Sequence, residues 1–359
     1  GNPCSVATCA KGKCEHKAAG DGFGCDDGNA CTGSDACKSG ICGGKATACD
    51  DSNPCTVDRC DPHTGRCIHA PQPAGAACGK AKACAKGKCV AEISGWASRV
   101  AAGERHSCAL RPGGSVWCWG KGNKGQLGYG GNSNQSVRVQ VAGLAGAVAI
   151  DAGYEHSCAL TNKGLVWCWG RGSEGQLGYG GKSDQKKPIQ VKGVKGAVDI
   201  GCGVYFSCAL LADGTMRCWG NNTYYQLGDG SKTRRYAPVV VKGVADLNEI
   251  AVGGYHTCGK TAKGQVFCWG RNSYGQTGAK ANSTQSKAVK VGLKDAQQIA
   301  LGRYHSCALR SSGLVSCWGY NASGQLGNGK LVNNHVPQKV VNISAVRSIG
   351  VGYNHGCGV

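Results

Sequence analysis

The 359-residue chain has no Cys-x-x-Cys pair, no long apolar run and no recognisable catalytic motif. Each absence excludes a class. The closest cysteines are five residues apart, whereas zinc fingers and thioredoxin-like redox sites need two sulfurs separated by only two residues. A membrane helix needs roughly 18 or more consecutive apolar residues, and the longest small-apolar stretch, Val141 to Ile150, is too short. No Ser-His-Asp order, phosphate loop or carboxylate pair stands out. No signal peptide is visible, so a secreted chain would have lost it or would carry it outside this sequence.

What is present begins with 26 cysteines. Without metal spacing they read as disulfides, which persist in oxidising compartments, so a secreted, extracellular or cell-surface protein is expected. The net charge of +20 is unevenly shared. Residues 1–93 carry 11 Lys and Arg against 10 Asp and Glu, and residues 94–359 carry 30 against 11. The second segment therefore holds nearly all the field, which favours anionic partners and is screened by salt.

Two kinds of repeat divide the chain at the same place. In residues 1–93, Cys25-Asp26-Asp27-Gly28-Asn29-Ala30-Cys31-Thr32 returns as Cys49-Asp50-Asp51-Ser52-Asn53-Pro54-Cys55-Thr56. Gly1-Asn2-Pro3-Cys4-Ser5 is a third copy without its leading Cys-Asp-Asp, and a degenerate fourth runs from Cys78 to Cys89. These units hold almost no large apolar residue, so only cross-links can hold them together. All their cysteines are expected to be bridged, in a connectivity that spacing does not reveal. Asn53-Pro54-Cys55-Thr56-Val57-Asp58-Arg59-Cys60-Asp61 with Gly65-Arg66-Cys67 is the most specific stretch. It resembles the slime-mould cysteine-rich (CTDC) repeat of extracellular matrix proteins, which implies location and a structural role.

The second repeat fills residues 94–359, with five copies of a unit of about 50 residues and the start of a sixth at Ile349. The first copy shows the parts: Gly103, His106-Ser107-Cys108-Ala109-Leu110, Val116-Trp117-Cys118-Trp119-Gly120 and Gly125-Gln126-Leu127-Gly128. Four short strands are expected per unit, at Val100–Ala102, Ser107–Leu110, Ser115–Trp119 and Val137–Val141, with Pro112-Gly113-Gly114 turning the central hairpin. Repeated four-stranded units spell an all-β fold, a β-propeller of five full blades plus part of a sixth, preceded by a disulfide-rich small-repeat segment. Because the chain starts inside one repeat and stops inside another, it is expected to be an excerpt.

The His-Ser-x-Ala-Leu and Trp-Gly-x-Asn-x-x-Gly-Gln-Leu-Gly signatures resemble the regulator of chromosome condensation type of propeller. Intracellular relatives bind chromatin and promote nucleotide exchange on a small GTPase, a role that disulfides disfavour here. A secreted relative of the fold inhibits β-lactamases through the corresponding face, so inhibition of an enzyme stays open.

Within each full blade two cysteines stand ten apart: Cys108 and Cys118, Cys158 and Cys168, Cys208 and Cys218, Cys258 and Cys268, Cys307 and Cys317. Lying equidistant from the hairpin turn, they should face each other and form disulfides. Cys202 is left over on a first strand as a buried thiol, and Cys357 lacks its partner strand. His106, His156, His256, His305 and His355 recur once per blade, but blade three has Phe206, which favours packing over a metal ring. The pairs Asp26-Asp27 and Asp50-Asp51 cluster carboxylates as Ca²⁺ sites do, but such clusters more often make Asx turns. No cofactor or metal is therefore expected. Sequons at Asn134, Asn221, Asn282, Asn321 and Asn342 fall in expected loops, where glycan acceptors lie.

The binding face is expected where the loops after first strands and after third strands emerge together. The first set supplies Glu104-Arg105, Tyr154-Glu155, Val204-Tyr205, Gly254-Tyr255, Arg303-Tyr304 and Tyr353-Asn354. The second supplies Lys121, Arg171, Tyr224, Tyr225, Arg271, Tyr274 and Tyr320. Arg105, Tyr154, Tyr205, Tyr255, Tyr304 and Tyr353, with that second set, are the expected anchors, since Tyr and Arg bury area or charge with few lost rotamers. The expected function is a non-enzymatic scaffold or adhesin for an anionic polysaccharide or an acidic protein at a cell surface or matrix. No specific nucleic acid or membrane span is expected. The alternative is a self-assembling structural subunit of a matrix or filament.

Overall fold

The structure is a computed structural model that describes residues 3–10, 13–71, 77–79, 82–85, 88–91 and 97–359. It divides into two compact units, 1–96 and 97–359.

The first unit is built from small antiparallel ribbons, Ser5–Ala10 with Lys13–Ala18, Thr32–Lys38 with Ile41–Ala46, and Thr56–Cys60 with Cys67–Pro71. A three-stranded sheet of Ala77–Gly79, Lys82–Ala85 and Lys88–Ala91 follows. With few large apolar side chains, half-cystines form the core: Cys4, Cys37 and Cys55 are buried. Cys25–Cys42 and Cys49–Cys67 each close one repeat. Cys4–Cys37 and Cys31–Cys60 each join one repeat to the next, so the units are linked in series. Cys9 and Cys55 are also bonded. The side chains of Cys14, Cys78, Cys84 and Cys89 lie outside the described residues.

The second unit holds five four-stranded antiparallel sheets, each in simple order one to four. In the first blade the strands are Arg99–Ala102, His106–Leu110, Val116–Gly120 and Gln135–Gln140. The fourth begins two residues before the position expected from sequence. A bulge between Cys118 and Gly120 slips the register, so Gly120 pairs with Gln135 and Cys118 with Val139. The same slip recurs in all five blades. A short ribbon, Ile349–Val351 with Gly356–Gly358, starts the sixth.

The core lies between blades. Leu110, Val116 and Leu127 of blade one pack with Ile150, Ala159 and Trp169 of blade two. The cysteines of each hairpin sit directly opposite and are bonded, with Cα atoms 4.1 Å apart in all five pairs. They are buried within these clusters. Trp169, Trp219, Trp269 and Trp318 are fully buried. Each donates its Nε1–H to the carbonyl of the Gly-Gln-Leu-Gly glutamine in the preceding blade, at 2.8 to 3.1 Å.

First strands of successive blades touch one another and form the inner rim. Their free edges are satisfied by side chains from the preceding blade. Asp151 Oδ2 accepts from Cys202 N at 2.7 Å, Glu249 Oε1 from Ile299 N at 2.9 Å and Gln298 Oε1 from Ile349 N at 2.8 Å. Burial pushes the Asp151 carboxyl up to about 6. Cys202 is a buried free thiol beside it and Cys357 an exposed one.

Candidate binding face

One backbone contact in each blade brings the two loop sets together. The amide that follows Cys-Trp-Gly donates to the carbonyl just before the histidine position: Lys121 to Arg105, Arg171 to Glu155, Asn221 to Tyr205, Arg271 to Tyr255 and Tyr320 to Tyr304, at 2.7 to 2.9 Å. The glycine of Cys-Trp-Gly makes this approach. Gly170 has φ of +103°, and a Cβ there would lie 2.6 Å from Glu155 O.

The side chains so placed pack on one another. Tyr154 meets Tyr205 edge to face at 5.5 Å, with the Arg171 guanidinium 4.9 Å from the Tyr205 ring. Further round, Tyr255 and Tyr304 stack at 5.8 Å, 16° from parallel. Tyr224 abuts Tyr255, and Tyr274 abuts both Tyr304 and Tyr320. The Arg271 guanidinium is 4.8 Å from the Tyr224 ring and 5.1 Å from that of Tyr304. Arg303 lies 5.1 Å from Tyr304 and 4.4 Å from Tyr353. Such contacts favour offset or edge-on rings and cations over ring faces, and they fix the side chains before any ligand arrives.

Of the expected anchors, Arg105 stays outside this cluster, exposed, with its Nε 3.7 Å from Glu104. Tyr225 also stands apart, beneath Lys232 at 5.3 Å. It occupies the place of Gly125, Gly175 and Gly275 with φ of +61°, a conformation that glycine adopts freely and tyrosine does not. Lys121 and Arg171 are engaged internally, holding Glu155 at 2.8 and 2.9 Å. Burial pushes the Glu155 carboxyl up, but hydrogen bonds from these two cations outweigh it and hold it below its usual range. Arg303 and Glu155, read from sequence only as loop neighbours, prove central because of what surrounds them in space.

The recurring histidines lie beneath the face and bridge blades. Nε2 of His106, His156 and His256 lies 2.8 to 2.9 Å from Ser157, Ser207 and Ser306 Oγ of the next blade. Burial lowers them to about 4, 3 and 3 respectively, so they are neutral at pH 7. In the first unit, Asp26, Asp27, Asp50 and Asp51 accept amides two residues ahead at 2.7 to 2.8 Å, which are Asx turns. Asp51, Asp58 and His69 gather at one point and Asp26, Asp27 and Asp35 at another.

The sequon at Asn321 must be corrected. Its side chain is fully buried, donates to Lys330 O at 2.8 Å and accepts from Leu326 N at 2.9 Å, so it cannot carry a glycan in the folded blade. Asn134, Asn282 and Asn342 are exposed, and Asn221 is half-buried.

A sequence model of the RCC1-like domain matches residues 70–357. The chain belongs to the RCC1-like domain family. A Dictyostelium (slime mold) repeat matches residues 48–71, which accords with the disulfides and with maturation in an oxidising compartment. Human WBSCR16 has the same fold at 25% identity and a TM-score of 0.66, with 72% of this chain covering 71% of that one. Prp20p of Saccharomyces cerevisiae, studied with its binding properties to Gsp1p and histones, gives 25% and 0.65 over 72% and 68%. Yeast RCC1 bound to Kap60 gives 24% identity and 0.64 over 72% and 67%. The human E3 ubiquitin-protein ligase HERC2 is 38% identical over 52 residues, 14% of this chain and 1% of its own length. This RCC1-like chain thus spans a very small part of that relative.

Proposed function

We propose that the chain is a secreted or cell-surface binding protein, without catalytic activity of its own, that recognises an anionic partner through the Tyr/Arg face. The observation that carries this reading is the cluster of Tyr224, Tyr255, Tyr274, Tyr304 and Tyr320 around Arg271 and Arg303. Preformed, half-exposed tyrosines and arginines lose little freedom on binding, which is why such residues dominate interface energetics. The excess of cations in residues 94–359 speeds encounter with acidic surfaces. The test replaces Tyr154, Tyr255 and Tyr304 by Ala together and measures binding to the native cell surface. A fall of tenfold or more is expected; unchanged binding by a folded triple variant rejects the face.

A second reading has its own support. The series disulfides Cys4–Cys37 and Cys31–Cys60 tie the first three small repeats in a row, as a tether or filament component requires. Negative-stain images of the native material separate the two: isolated particles favour the binder and regular fibres the structural subunit.

A further inference from the structure

The face contains its own example of an occupied carboxylate site. Glu155 precedes His156 and lies between the cation of its own blade, Arg171, and that of the preceding blade, Lys121. The residue equivalent to Glu155 beside Arg271 is Tyr304, three blades further on. No acid takes its place there. Among the described residues Arg271 makes a hydrogen bond to Ser273 at 3.1 Å and no ion pair. Arg303, contributed by the neighbouring loop, meets the hydroxyls of Tyr255, at 3.4 Å, and Tyr304, and among the described residues it has no carboxylate partner. Its Nε is buried and has no acceptor. Both guanidinium carbons are 5.1 Å from the Tyr304 ring centre, so they stand no further apart than twice that distance. Two ring-supported cations without a carboxylate partner, one of them with an orphaned buried donor, form a site suited to an anionic acceptor.

The surrounding rings bear on which carboxylate such a site would take. A sugar stacks on an open aromatic face, but Tyr255 and Tyr304 stack on each other and carry guanidinium groups as well. A side-chain carboxylate on a polypeptide loop needs only the two guanidinium groups and no open ring face, as Glu155 shows between Lys121 and Arg171.

We propose that Arg271 and Arg303, held against Tyr255 and Tyr304, receive an Asp or Glu carboxylate from an acidic segment of a partner protein, as Lys121 and Arg171 receive Glu155. This deepens the binding-face reading and rests on it.

The test uses the full chain with three probes: a soluble polyglutamate peptide, polygalacturonate as a carbohydrate carboxylate, and dextran sulfate as a polyanion without carboxylates. Affinities are measured at about 0.15 M salt, where diffuse attraction is largely screened. Arg271→Gln/Arg303→Gln should weaken polyglutamate binding about tenfold or more, because buried charge-assisted bonds are lost. Lys287→Gln/Lys290→Gln removes the same charge from exposed positions on an outer strand and should change it less than about twofold. Arg271→Lys/Arg303→Lys should restore part of the loss. Equal losses in the two Gln pairs, or equal affinity for dextran sulfate, would show that net charge alone holds the peptide. Binding of polygalacturonate in preference to the peptide, or no binding of the peptide at all, would overturn the protein assignment. If the arginine pair has no effect while the triple tyrosine variant loses the cell surface, the face stands and only the carboxylate site falls.

Discussion

His156 Nε2 lies 2.9 Å from Ser207 Oγ, and Ser207 donates its own proton to Gln176 O at 3.0 Å. A hydroxyl has one proton to give, so the imidazole must donate from Nε2 and leave Nδ1 bare. Nδ1 of His106, His156 and His256 indeed finds no partner. The sequence changes in step with this relay. Where Phe206 replaces the histidine, the next blade has Thr257 instead of Ser, still donating to Gln226 O at 3.0 Å. Where Gly356 takes the serine position, both nitrogens of His305 are unpartnered. His156→Phe alone should therefore cost about 1–2 kcal/mol. His156→Phe with Ser207→Thr should cost less than the sum of the single changes by about 0.5–1 kcal/mol. Urea titrations of the four proteins measure this, and strict additivity would mean that the pair is not coupled.

The same histidines set an acid limit. Burial lowers His106 and His305 to about 4 and His156 and His256 to about 3. Unfolded imidazole titrates near 6.5, so below that pH the unfolded chain takes up protons that the folded chain refuses. Their stabilising contribution is full above about pH 6.5 and falls by roughly 2 kcal/mol per residue at pH 5. Asp151, Asp199 and Glu249, raised chiefly by burial, act in the opposite sense. The Asp151 gain begins only below about pH 6, and these three carboxyls are fewer than the four imidazoles that lose. Melting temperature should fall from pH 7 to pH 5, and less steeply in the Phe/Thr variant. A melting temperature that rises on acidification would contradict the neutral, buried imidazoles.

The propeller was legible because its signals repeat. Cysteine spacing alone predicted the opposed hairpin pairs, and the loop order predicted that the loops after first and third strands meet, although Arg105 and Tyr225 stand outside the ring cluster. Distances between blades left no mark on the chain. Nothing local marks Glu155 as the acid between Lys121 and Arg171, or Arg303 as the cation lying over Tyr353. Asn321 carries a valid sequon, yet it is a buried structural residue, because three residues of sequence cannot show what lies above them. The connectivity of the small repeats was equally hidden, since several pairings satisfy the same spacing.

Tyr225 stores strain at the edge of the face. A tyrosine at φ of +61° costs on the order of 1–2 kcal/mol relative to glycine. Tyr225→Gly, which restores the residue used in the other blades, should raise stability by about 1 kcal/mol. If Tyr225 serves recognition, the same change weakens binding to the native surface. Thermal melts and binding of this variant decide both points, and a destabilised variant would mean that the ring packing under Lys232 outweighs the backbone cost.

The hairpin disulfides make a separate prediction. Each closes a loop of about ten residues, worth at most roughly 3 kcal/mol in the chain-entropy model and less in a preformed hairpin. Cys208→Ala with Cys218→Ala should thus lower stability by about 1–3 kcal/mol without unfolding the ring. Non-reducing peptide mapping of the native protein should recover the five pairs and a free Cys202. Free thiols at Cys118 and Cys168 would refute the arrangement.

Whether recognition occurs on the Tyr/Arg face is decided by contact mapping. A photoreactive phenylalanine analogue is placed at Tyr320, within the ring cluster, and in a second protein at Lys287 on an outer strand. Both are irradiated on the native cell surface. Covalent capture of a partner is expected from position 320 and none from position 287. Capture from position 287 alone would place recognition on the outer blade edges and contradict recognition by the Tyr/Arg face.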